Sequence, residues 1–135
     1  TVTPTGAAIL RTIADDFGAI HGLINNAGIL RDGLLLKAKD GQIQKMSMAQ
    51  WQSVIDVNLT GVFLGTREVA AKMIELGTPG LIINISSIAS IRVHPDLMAY
   101  SLAAAAIDQM TRSLAVSLAP PSSPPGAPPI KKTPF

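Results

Sequence analysis

The sequence predicts an α/β domain built on a parallel sheet. Two short apolar runs carry that prediction: "HGLINNAG" around residues 21–28 and the isoleucine-rich "LIINIS" at 81–86. A long helical stretch separates them, and two further helices flank them. Apolar runs without alternation suit strands covered on both faces. Strands joined through long helices pair in parallel, with right-handed crossovers.

The elements follow in chain order. "AAILRTIADDF" at 7–17 reads as a helix that Gly18 can end. The first strand comes next, bounded by glycines. The longest helical pattern then runs over about 50–76. Ser47 and Gln50 form a candidate capping box at its start. Trp51, Val54, Ile55, Leu59, Val62 and Phe63 recur at helical spacing. Gly77 and Thr78-Pro79-Gly80 stop it. After the second strand, residues 98–118 form another helix, with Leu102, Met110, Leu114 and Leu118 along one side. There is no internal repeat.

The domain is expected to span 1–119, followed by an irregular tail over 120–135. Seven of the ten prolines lie in that tail, and proline has no N–H to give to a ladder. Two parallel strands leave open apolar edges. The rest of the sheet is therefore expected from outside these residues, or from another copy.

Composition excludes several function classes. The 135 residues are 47% hydrophobic and 15% charged, enough to build a core. The net charge of +2 comes without any basic run beyond Lys131-Lys132, which argues against nucleic-acid binding. No cysteine is present, so neither disulfides nor thiolate metal sites arise. His21 and His94 lack ligand spacing. No apolar run reaches a membrane span, and no signal peptide opens the chain. The expectation is a soluble, cytoplasmic protein with no metal, nucleic-acid or membrane partner.

Three places could carry chemistry. Asn26, Ala27 and Gly28 follow the first strand, at the end where ligands bind in open parallel sheets. On spacing alone a plain strand-to-loop turn explains them as well or better, since Asn and Gly are common turn residues. Asn58 falls inside the apolar stripe of the long helix. A buried amide is costly unless bonded; it bonds either a neighbouring backbone or a held water. Ser86-Ser87 closes the second strand, and Tyr100, the only tyrosine, follows thirteen residues after Ser87. Such hydroxyls could grip a carbonyl oxygen, serine by a hydrogen bond and tyrosine by proton transfer. A free phenol titrates near ~10, and a nearby cation favours its ionised form. Position 104, one helical turn on, is alanine.

Taken together, "INNAGI", "VIDVNLTGVF", "INISS" and "YS" at these spacings resemble the short-chain dehydrogenase/reductase family over about residues 7–118. "NNAGILRDGLLLK" looks most like its 3-oxoacyl-(acyl-carrier-protein) reductase branch. The resemblance implies the central portion of a Rossmann-like, doubly wound parallel sheet. It implies hydride transfer between NAD or NADP and a small-molecule carbonyl or alcohol. Asn58, Ser87 and Tyr100 would be three of four catalytic residues. Asn26, Ala27, Gly28 and Tyr100 would bind the cofactor. A homotetramer paired through helices 50–76 and 98–118 would follow, given their surplus apolar residues Phe63, Met73, Ile74, Met110 and Leu114.

The chain departs from the family pattern in two respects. Ala104 stands where the family has the lysine that bonds the nicotinamide ribose. Either the lysine is lost, or alanine stands for an unassigned side chain. The glycine-rich turn that holds the pyrophosphate has no counterpart before residue 25. A sugar or secondary-alcohol dehydrogenase, and an inactive association module, remain as alternatives.

Overall fold

The computed structural model describes residues 4–119. Helix α1 (Pro4–Phe17) leads to strand β1 (Gly22–Asn25). A hairpin of β2 (Leu36–Lys39) and β3 (Gln42–Lys45) follows. Helix α2 (Met48–Ile55), a π-helical segment (Asp56–Thr60) and α3 (Gly61–Glu75) form one continuous rod. Strand β4 (Leu81–Asn84), a 3₁₀ turn (Ile88–Ser90) and helix α4 (Met98–Leu118) complete the order. The expected proline-rich tail at 120–135 lies outside the described residues.

The local signals act as expected. Gln50 N–H donates to Ser47 Oγ at 3.1 Å, and Ser47 N–H donates to Gln50 Oε1 at 3.1 Å, closing the capping box of α2. Gly18 and Gly77 adopt φ of 68° and 63° just past α1 and α3. That conformation reverses the chain and favours glycine.

β1 and β4 pair in parallel, from Gly22 with Leu81 to Asn25 with Asn84. Leu23 packs with Leu10 and Ile13 of α1 against Ile20, Val69 and Met73. Asn25 and Asn84 point to the same side, toward α3 and α4. There a polar rung crosses the layer. Asn25 Nδ2 donates to Thr66 Oγ1 (3.0 Å) and to Asn84 Oδ1 (2.8 Å), and Asn84 Nδ2 donates to Thr111 Oγ1 (2.9 Å). Gly65 makes room for it, since a Cβ there would stand 3.0 Å from Asn25 Oδ1.

One sequence expectation needs correction, and two helices show detail that the sequence did not announce. The strands are not covered on both faces: Ile24, Leu81 and Ile83 are exposed. The described helices pack on the opposite side, where Leu23, Asn25 and Asn84 point. The long helix is not uniform, because the Gly61 amide bonds back to Asp56 O, one residue farther than an α-helix reaches. In α4 the buried side is Ala99, Ala103, Ala104 and Ile107, while Leu102 and Leu118 are exposed. Small alanines let α4 approach α2 and the π segment closely, which larger leucines would prevent. The β2–β3 hairpin was not anticipated at all. Asp40 and Gly41 turn it with φ of 51° and 72°, as a two-residue hairpin loop requires.

Candidate active site

Parallel pairing puts the carboxyl ends of β1 and β4 side by side. The loops that leave them line one cleft together with α3 and α4. Its walls include Asn26, Ala27, Gly28, Asn58, Ser86, Ser87, Tyr100 and Ala104. The structure thus brings together every residue that the sequence put forward for the site. Among these described lining residues none is cationic, and Ala104, one turn from Tyr100, is buried in the wall.

Asn58 sits on the π segment and is buried. Its Oδ1 accepts from Ile29 N–H at 2.8 Å, and its Nδ2 donates to Ile29 O at 2.8 Å. The amide therefore replaces a missing strand neighbour for Ile29. The backbone-bonding alternative for Asn58 is the one realised, and it holds the Asn26–Ile29 loop against the helix.

Ser87 is extended (φ −148°, ψ 155°) and starts the 3₁₀ turn. Its Oγ accepts from Ala89 N–H at 3.2 Å. One lone pair is thereby occupied, and the hydroxyl hydrogen stays available for a ligand oxygen. Ser86 turns the other way and donates to Ala104 O at 3.1 Å. Tyr100 is half-buried in the first turn of α4, opposite this serine pair.

Two carboxylates outside the cleft lining, but bonded to residues next to it, escaped the sequence reading. Asp32 Oδ1 accepts from the amides of Ala99 (2.7 Å) and Tyr100 (3.3 Å), so α4 is capped from a distant loop. Asp108 lies two turns beyond Tyr100. The Ser86 hydroxyl beside it, then that of Ser90, and finally the Arg112 charge hold its carboxyl below the ordinary range. The sign of the linkage follows. A depressed carboxyl stabilises the fold above its ordinary value, and that contribution is lost as pH falls through the folded value. The stability gap between the chain and Asp108→Asn is therefore expected to close below about pH 4. Denaturant titrations at pH 7 and pH 3 measure it. Arg112 gave no sequence signal by itself, but its four-residue spacing from Asp108 did.

A family model described as short chain dehydrogenase matches residues 5–122. The chain belongs to the short-chain dehydrogenase family. Among curated short-chain dehydrogenases it is 42% identical over 111 residues to a 3-oxoacyl-(acyl-carrier-protein) reductase of Synechocystis sp., covering 82% of this chain and 41% of that protein. It is 41% identical over 113 residues to a 3-alpha-(or 20-beta)-hydroxysteroid dehydrogenase of Mycobacterium tuberculosis, covering 84% and 40%. In structure it matches a gluconate 5-dehydrogenase from Burkholderia cenocepacia, solved with NADP and tartrate. The TM-score there is 0.70 and the identity 32%, over 83% of this chain and 40% of that one. The chain thus spans about two-fifths of the length of these relatives. The fold is the α/β, Rossmann-like fold of short-chain dehydrogenases, seen in part. No described helix is long and apolar enough to cross a membrane, and no described cluster of three acidic or histidine side chains could hold a metal.

Proposed function

We propose that this chain is the central portion of an NAD- or NADP-dependent oxidoreductase that interconverts a carbonyl and an alcohol. Reduction of a 3-oxoacyl thioester is the favoured reaction. The juxtaposition of Ser87 and Tyr100 across one cleft, beside Asn26–Gly28, carries the proposal. The Synechocystis relative supports the substrate class, and the NADP-bound neighbour supports the cofactor.

The donor set suits a neutral carbonyl and a nicotinamide ring. Around the cleft stand two amides, two serine hydroxyls and a phenol, with the small Ala27 and Gly28 on one wall. The phosphate end is not matched: among the described residues no strand is followed by a glycine-rich turn and a helix. When bound, the nicotinamide supplies the hydride to the carbonyl carbon. Ser87 donates its free hydroxyl hydrogen to the carbonyl oxygen, which gains negative charge as the bond order falls. Tyr100 then delivers its phenolic proton to that oxygen. Asn58 acts earlier, by fixing the loop that bears Asn26–Gly28.

Substitution tests this assignment in the complete enzyme, with NADPH or NADH absorbance followed against a β-ketoacyl thioester, a ketosteroid and a keto-sugar. Ser87→Ala and Tyr100→Phe are each expected to lower kcat by about 10² or more with the better cofactor. Full activity in Tyr100→Phe would remove the proposal. A preference for the keto-sugar would favour the sugar dehydrogenase reading, which the gluconate 5-dehydrogenase likeness supports. Ala104 favours the inactive association module, for which no substrate would turn over.

The proposal includes a cytoplasmic setting. Residues 1–119 are taken as one partial domain because α4 ends at Leu118. A homotetramer paired through α3 and α4 is also proposed. Phe63 and Ile74 are 47% and 63% exposed, and an apolar groove runs between them and Met110 and Leu114. Such surplus apolar surface suits a subunit contact. Sedimentation at micromolar concentration is expected to show species heavier than a monomer.

A further inference from the structure

We propose that Asp32 is a positioning residue for Tyr100, acting by capping the first turn of α4 from outside the helix. The assignment rests on the reading of Tyr100 as proton donor, but its test does not need turnover.

The first turn of a helix leaves amides without partners. The N-cap position of α4 is Leu97, whose side chain cannot accept a hydrogen bond, and no side chain there caps the helix. The first bond within the helix comes from Ser101 N–H to Leu97 O, at 2.8 Å. The amides of Ala99 and Tyr100 precede it. Both turn to Asp32 Oδ1, at 2.7 and 3.3 Å, across 67 and 68 residues of chain. Tyr100 is thus held by its own backbone nitrogen.

The anchor of that bond is itself fixed. Asp32 lies three residues after Ile29, whose N–H and C=O both bond Asn58. A continuous path therefore runs from the π segment through the Asn26–Asp32 loop to the backbone of Tyr100. Asn58 and Tyr100, on separate helices, are joined by it. The loop that forms one wall of the cleft also sets where the phenol stands on the other wall.

The cost of the arrangement points the same way. Asp32 Oδ2 is buried with no hydrogen-bond partner. Burying a carboxylate oxygen unpaired is unfavourable. The helix amides and the positive end of the α4 dipole offset it, because they favour an anion at that place. A lone cap could sit in solvent at less cost; this one stands where only a link between loop and helix requires it.

The chain has a single tyrosine, so its ring gives one set of NMR signals. Amide hydrogen exchange and that ring signature are compared in Asp32→Ala and Asp32→Asn. In Asp32→Ala, protection at Ala99 and Tyr100 is expected to fall about tenfold. The Tyr100 ring shifts are expected to move toward free-tyrosine values. Asn also accepts at a helix start, so Asp32→Asn is expected to keep protection within about twofold and the ring shifts near those of the parent chain. Val69 and Met73 amides in α3 are expected to stay protected in both. Unchanged ring shifts in Asp32→Ala would overturn the proposal. So would loss of Val69 and Met73 protection, since Asp32 would then act on the fold as a whole. Failure of Asp32→Asn to rescue would also overturn it. If the complete enzyme proves inactive while these shifts appear, the functional reading fails and the positioning role stands.

Discussion

Replacing Ala104 with lysine is expected to raise turnover by about 10² or more, but only in a polypeptide that also carries a glycine-rich strand-turn-helix ahead of α1. Ala104 lines the cleft one helical turn from Tyr100. A lysine at that place would project into the space between Tyr100 and the Asn26–Gly28 wall. Its charge would favour phenolate at Tyr100, which the oxidative direction needs in order to accept a proton. The reductive direction can run with a neutral phenol as donor, so the gain is expected to be larger for alcohol oxidation. In the 135-residue polypeptide alone, Ala104→Lys is expected to leave turnover undetected. No described residue there cradles a pyrophosphate. Assays of both polypeptides with NADH and NADPH against a β-ketoacyl thioester, in each direction, measure the difference. Robust turnover by the unmodified 135-residue polypeptide would require a different way of tuning Tyr100.

Asn58→Ala is expected to cost about 2–3 kcal/mol of stability. The substitution removes two hydrogen bonds at once and leaves the N–H and C=O of Ile29 without partners. A typical exposed polar substitution costs well under ~1 kcal/mol, so the effect is separable from background. Denaturant unfolding at constant m-value gives the number. The same variant is expected to loosen Asn26–Gly28, which hydrogen exchange at those amides reports. A change below about 0.5 kcal/mol would show that water replaces the amide at no cost, and that the loop is held by other contacts.

The principal helices and the parallel strand pair were legible because each had a local cause. Ser47 and Gln50 announced the start of α2, Gly18 and Gly77 announced two helix ends, and "LIIN" announced β4. The candidate site was legible because strand ends and a lone tyrosine carry chemistry wherever they occur. What stayed hidden depends on partners far away in sequence. Asp32 finds Ala99 and Tyr100 across more than sixty residues, and nothing near Asp32 foretells it. The π segment has no residue signature of its own. The buried side of α4 gave no signal, because small alanines do not announce burial. Close approach selected Ala99, Ala103 and Ala104 over Leu102. The hairpin is a different kind of miss. Its Asp40-Gly41 turn was a readable signal, but Lys37, Lys39, Gln42 and Gln44 kept the segment too polar to look like strand.

The rung from Thr66 through Asn25 and Asn84 to Thr111 works as a registration key. Side chains alternate along a strand, so sliding β4 by one residue against β1 would turn Asn84 to the bare side and bring an isoleucine opposite Asn25. Asn25 would lose one of its two acceptors, Thr111 its donor from Asn84, and the two helices their only described polar tie through the sheet. Apolar neighbours such as Ile24 and Ile83 tolerate many alignments, whereas an amide pair at 2.8 Å tolerates one. Four side chains therefore do for the cleft above them what a dowel does for a joint: they decide that Gly28 and Ser87 arrive at the same height.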